Sequence, residues 1–92
     1  MKRLKVLING FGRIGRAITR INIEKDYFDL AAINDVNPEN KNIAYLLKYD
    51  NIYGRLPDTI ESDEEGILVN GKHIRVSHEH ELRSLILRIS ML

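Results

Sequence analysis

A chain of 92 residues provides for one small domain and not two, and a domain of that size buries only a modest share of its surface on folding. Its 14 basic and 13 acidic side chains nearly cancel, so nothing in the charge points to nucleic acid, an acidic partner or an anionic membrane. With no cysteine the chain has no disulfide, no thiolate metal ligand and no cysteine nucleophile.

The basic start Met1-Lys2-Arg3-Leu4 is followed by an apolar run that Asn9-Gly10 ends, too short for a secretory leader. No stretch approaches the ~20 apolar residues of a membrane span, and a cytoplasmic setting is the expectation. Leu4 to Ile8 predicts a short buried strand. From Arg13 to about Lys25 the period becomes helical: Ile14, Ala17, Ile18 and Ile21 share one face, with Arg16, Arg20 and Glu24 turned away. Leu30 to Ile33 predicts a second strand, ended by Asn34-Asp35. Asn37 suits an N-cap, Pro38 a first helical position and Glu39 the positive end of a helix running to about Tyr49. That helix is expected to bury Ile43, Leu46 and Leu47.

Strand, helix, strand, helix implies a parallel sheet with right-handed crossovers. A hairpin texture follows. Thr59-Ile60 and Ile67-Leu68-Val69 flank the acidic turn Asp63 to Gly66, and Asn70-Gly71 signals a type I′ turn before Ile74, Arg75 and Val76. From Glu79 to Leu92, residues Leu82, Leu85, Ile86 and Ile89 stand at helical spacing, with Leu87, Met91 and Leu92 apolar off that face. A terminal helix so apolar needs partners on more than one side. The fold class expected is α/β, the front half of a Rossmann-type doubly wound parallel sheet with an added β-hairpin.

Gly10-Phe11-Gly12-Arg13-Ile14-Gly15 is a G-x-G-x-x-G between a predicted strand and a predicted helix, and Asp35 ends the next strand twenty residues after Gly15. In this setting the motif points to a dinucleotide. Gly10 allows the tight turn, Gly12 lets backbone approach a pyrophosphate, and Gly15 lets the helix pack on the sheet. The N–H groups of Arg13 and Ile14 would face the phosphates, aided by the helix dipole. Asp35 would accept hydrogen bonds from the adenosine ribose and repel a 2′-phosphate, so NAD is expected rather than NADP.

The stretch Ile8-Asn9-Gly10-Phe11-Gly12-Arg13-Ile14-Gly15-Arg16 resembles the opening of the phosphorylating glyceraldehyde-3-phosphate dehydrogenase family. Ala32-Ile33-Asn34-Asp35, Tyr45 to Asp50, Tyr53-Gly54-Arg55, Val69 to Lys72 and Ile74 to Val76 resemble later stretches of it in the right order. The resemblance covers about residues 4 to 81. It implies NAD as cofactor, backbone at Arg13 and Ile14 on the pyrophosphate, and Asp35 on the adenosine ribose. It also implies oxidation of a sugar-phosphate aldehyde to an acyl phosphate and a tetrameric assembly in a full-length form. The family's Glu-Arg pair, with backbone near the adenine, is replaced here by Glu79-His80.

After Glu81 the likeness fades, and a truncated or frameshifted frame is the expectation for a divergent tail at 82–92. The domain is then a partial NAD-binding domain, with the catalytic domain and its cysteine, histidine and phosphate-binding arginines absent. The related erythrose-4-phosphate dehydrogenase shares much of this front half, so the two substrates stay open. A second class of reading is a non-enzymatic nucleotide-binding module or an inactive product. An RNA-binding role is disfavoured by the near-neutral charge.

Three other signals are weaker. His73, His78 and His80 lack a fourth ligand for zinc and read as solvated surface histidines. Asp63-Glu64-Glu65 reads as a solvated turn, and Tyr45, Tyr49 and Tyr53 as rings packed beside a helix end. No catalytic residue and no metal site is expected in this chain.

Overall fold

The structure, a computed structural model, describes residues 4–50, 54–81 and 83. In chain order the elements are β1 (Lys5–Asn9), α1 (Arg13–Lys25), β2 (Asp29–Asn34), α2 (Asn40–Lys48), β3 (Tyr49–Asp50), β4 (Gly54–Arg55), β5 (Ile60–Ser62), β6 (Gly66–Val69) and β7 (Lys72–Ser77). The main sheet has five strands in the order β1-β2-β7-β6-β5. Its β1, β2 and β7 run parallel, and β7, β6 and β5 are antiparallel. The hairpin is therefore not an appendage. Its return strand β7 is the third parallel strand, seated beside β2 with Ile33 opposite Val76. The expected α/β fold with a parallel-rich sheet is what forms.

Local chemistry explains the joins. Asn70 and Gly71 both have positive φ, 53° and 83°, as a type I′ turn requires, so Val69 pairs with Lys72 across the tight turn. At the other hairpin, the Asp63 carboxylate accepts the N–H groups of Glu65 and Gly66 and closes the acidic turn. Helix α2 starts later than expected, at Asn40 with Glu39 in the cap position. Asn37 spends its side-chain oxygen on the N–H of Glu39, forming a local turn before the helix instead of a cap on it. Residues 79–81 are irregular, and apart from Arg83 the expected terminal helix lies outside the described residues.

The core lies where α2 covers the hairpin end of the sheet. Ile33, Ile43, Leu47 and Ile67 are fully buried there, joined by Leu30, Ala44, Leu56, Val69, Ile74 and Val76. Ala44 takes the buried place expected of Leu46, which is only half-buried.

Helix α1 overturns its own periodicity. The face expected to be buried is exposed at Ile14, Ile18 and Ile21. The buried positions are Gly15, Thr19 and Asn22. The reason is closeness of approach: a Cβ on Gly15 would lie 2.5 Å from the Gly10 carbonyl oxygen, so backbone packs against backbone there. Thr19 turns its hydroxyl onto the Gly15 carbonyl, and Asn22 bonds both backbone polar groups of Phe28. Buried polar groups so satisfied cost little. Arg20, expected to face solvent, instead donates to the carbonyls of Leu47, Lys48 and Gly54. It supplies a cation where the last α2 carbonyls lack helical partners.

Candidate functional site

The parallel strands β1, β2 and β7 end together, and the residues singled out by the glycine motif gather at that end. Gly10 leaves β1 with φ of 97°, a conformation L side chains rarely adopt, and its N–H bonds the Asn34 carbonyl at 2.7 Å. Gly12 is the N-cap of α1, with extended backbone and no side chain to cap the helix. The first N–H in the α1 ladder is that of Arg16, bonded to the Gly12 carbonyl at 2.9 Å. The N–H groups of Arg13, Ile14 and Gly15 therefore precede the ladder, at the positive end of the helix dipole. A Cβ built on Gly12 would meet nothing within 4 Å, so the space in front of these donors is open. The turn is basic: the Arg13 side chain is exposed, and Arg16 donates from Nη1 to the Phe11 carbonyl at 3.3 Å. The Nε of Arg16 is buried and has no partner among the described residues.

Asp35 stands directly across this turn. One of its carboxylate oxygens accepts the N–H of Phe11 at 2.6 Å, and the other accepts the N–H of Asn37 at 2.9 Å. The carboxylate is thus fixed between the glycine turn and the start of the second crossover. Each oxygen keeps accepting capacity for a further donor. Gly10, Gly12, Arg13, Ile14 and Asp35 thus stand at one edge, the turn carrying the first four joined to Asp35 through the Phe11 N–H.

Two residues of this edge escaped the sequence reading. Asn34 is buried and makes all four hydrogen bonds an amide can make. Its oxygen accepts from the Ser77 hydroxyl at 2.7 Å and the Glu79 N–H at 2.9 Å. Its nitrogen donates to the Asn9 side chain and to the Glu79 carbonyl, both at 3.0 Å. Asn34 so ties the ends of β1, β2 and β7 together and fixes the backbone at Glu79. A polar residue ending an apolar strand, one place before Asp35, was the available signal.

His78 is the second. Expected to be a solvated surface group, it is half-buried, with Nδ1 2.9 Å from the Asp35 carbonyl oxygen and Nε2 2.9 Å from Oδ1 of Asn40. His73 bonds Asp63 at 3.1 Å, and that hydrogen bond is the main reason the Asp63 carboxyl is held below its ordinary value. His80 is exposed. Among the described residues no three His, Cys, Asp or Glu side chains gather as a metal site would require. The Tyr45 and Tyr49 rings lie 4.9 Å apart at the end of α2, and Tyr53 falls outside the described residues.

Residues 4–89 match the model of the glyceraldehyde 3-phosphate dehydrogenase NAD binding domain. The chain belongs to this family. It is 49% identical over 77 residues to a glyceraldehyde-3-phosphate dehydrogenase of Emericella nidulans, a match covering 84% of this chain and 23% of that protein. To glyceraldehyde-3-phosphate dehydrogenase 1 of Nostoc it is 47% identical over 74 residues, 80% of this chain and 21% of the relative. With the glyceraldehyde-3-phosphate dehydrogenase of Shimwellia blattae it shares 44% identity over 82 residues, 89% of this chain and 24% of the relative. The chain thus spans about a quarter of the length of these relatives, the part that forms the NAD-binding domain. NAD is the cofactor of that domain.

Proposed function

We propose that this chain holds the adenosine and pyrophosphate half of NAD at the edge formed by Gly10, Gly12, Arg13, Ile14 and Asp35. The observation that supports the reading is the hydrogen bond of 2.6 Å from the Phe11 N–H to the Asp35 carboxylate, which sets that carboxylate beside the open end of α1. The N–H groups of Arg13 and Ile14 donate to the pyrophosphate, and the helix dipole favours its charge. Gly12 leaves room for it. Asp35 accepts from the ribose hydroxyls and repels a 2′-phosphate, so NAD is preferred to NADP.

When bound, NAD supplies the hydride acceptor. This chain supplies binding and orientation, and with no cysteine it forms no covalent acyl intermediate by itself. In a full-length form the reaction served is oxidation of a sugar-phosphate aldehyde, glyceraldehyde 3-phosphate or erythrose 4-phosphate, by a tetramer in the cytoplasm. The test is calorimetric titration of the wild type and Asp35→Ala with NAD and with NADP. The wild type prefers NAD, and the variant narrows the gap between the two. An unchanged preference in the variant contradicts the role given to Asp35.

A further inference from the structure

Both ring nitrogens of His78 face oxygens. Nδ1 lies 2.9 Å from the backbone carbonyl oxygen of Asp35, which can only accept. Nε2 lies 2.9 Å from Oδ1 of Asn40. The orientation of the Asn40 amide is itself fixed, because its Nδ2 donates to the carbonyls of Asp63 at 2.9 Å and Glu64 at 3.3 Å. Turning that amide over would set its oxygen against two carbonyl oxygens. A neutral imidazole donates from one nitrogen only and would present a lone pair to the other acceptor. An imidazolium satisfies both.

We propose that His78 is a positioning residue of the nucleotide site, acting as a doubly protonated ring that latches the Asp35 end of β2 to the start of α2 and to the Asp63–Glu64 turn. The proposal rests on the nucleotide reading above. The latch holds the residue whose carboxylate takes the ribose, through that residue's own carbonyl. Losing one ring proton leaves two facing acceptors with a single donor. Either the Asp35 carbonyl is released, or Asn40 turns and gives up the 63–64 turn. Binding of the adenosine half of NAD therefore weakens as the proton leaves.

The charged groups on the elements that meet the ring are of both signs. They are Asp29 and Asp35 on and just after β2, Lys72, His73 and Arg75 on β7, Glu39, Lys41 and Lys48 at and within α2, Asp63, Glu64 and Glu65 in the turn, and Glu79, His80 and Glu81 following in the chain.

The experiment uses the chain with ADP-ribose, whose diester phosphates keep their charge between pH 6 and pH 8.5. Calorimetry on the wild type gives binding about three- to tenfold weaker at the upper end, the scale set by one linked proton. His78→Gln keeps one amide donor but has no proton to lose, and its profile is flat. His73→Gln and His80→Gln keep the wild-type slope. An equal slope in His78→Gln and the wild type overturns the proposal. Ring nitrogen spectra of the free chain at pH 6.5 supply a readout independent of ligand. Two nitrogen-bound protons on His78 sustain the latch, and one overturns it. Should ADP-ribose fail to bind at every pH, the nucleotide reading falls, and the ring spectra still decide the state of His78.

Discussion

The two ends of the five-stranded sheet are built differently. At the hairpin end, β7, β6 and β5 are covered by α2, and the side chains between them, Ile33, Ile43, Leu47 and Ile67, are sealed from solvent. At the other end β1 has β2 as its only strand neighbour among the described residues, and α1 shows solvent an apolar stripe, with Ile14 76% and Ile21 52% exposed. A groove of about 530 Å³ separates α1 from the connection between β4 and β5, lined by Ala17, Ile21 and Ile23 on the helix and by Leu56 and Pro57 on the connection, among others. The proposed nucleotide edge lies between the two regimes. Asp35 and Asn34 are anchored from the sealed side, and the glycine turn belongs to the open side. Hydrophobicity therefore marks the core at one end and an uncovered surface at the other, and only packing tells them apart.

Substitutions that separate the two ends should differ most in stability. Leu47→Ala, in the sealed half, removes a fully buried side chain and should cost about 2–5 kcal/mol in urea unfolding, a large part of what a small domain has. Ile21→Lys, on the open half, should change stability by no more than about 0.5 kcal/mol. A large loss from Ile21→Lys would mean that α1 is covered after all, and the contrast between the two ends would fail.

The smallest expected effect sharpens the comparison at the hairpin tip. Asp63 is held below its ordinary value of 3.8 chiefly by the hydrogen bond from His73, with the Gly66 and Glu65 N–H groups adding to it. A depressed carboxylate stabilises the fold above its unfolded value and ceases to do so as pH falls through the folded one. The contribution of this exposed group is thus complete at neutral pH and lost below about pH 4. Asp63→Asn should flatten the acid limb of the unfolding profile slightly. If the acid limb is the same in both proteins, the turn takes no stability from its carboxylate.

How much of this was legible in the sequence depended on whether a local pattern had one structural solution. Gly10 to Gly15 between a strand and a helix, Asn70-Gly71 in a hairpin, and Asp35 at a strand end each did, and each stands where expected. The α1 stripe did not: Ile14, Ala17, Ile18 and Ile21 satisfy helical periodicity as well on an uncovered face as on a buried one. The face that meets the sheet is defined by small and polar residues, Gly15, Thr19 and Asn22, whose burial depends on bonds to distant backbone. Arg20, Asn34 and His78 were missed for the same reason. Their partners at Leu47, Glu79 and Asn40 are remote in sequence, brought near by the packing of α1 on α2 for Arg20 and by the pairing of β7 with β2 for Asn34 and His78.

The central claim is that the open N-terminus of α1 and the Asp35 carboxylate form one binding edge for the adenosine and pyrophosphate half of NAD. The most direct test follows backbone amide resonances of the labelled chain during titration with NAD. The amides of Gly12, Arg13, Ile14 and Asp35 should move together with a single affinity, while those of Glu64 and Glu65 at the hairpin tip stay in place. In Gly12→Val, whose side chain would occupy the space in front of the helix donors, the movement should vanish with the fold retained. Shifts centred elsewhere, or a full response in folded Gly12→Val, would contradict the account.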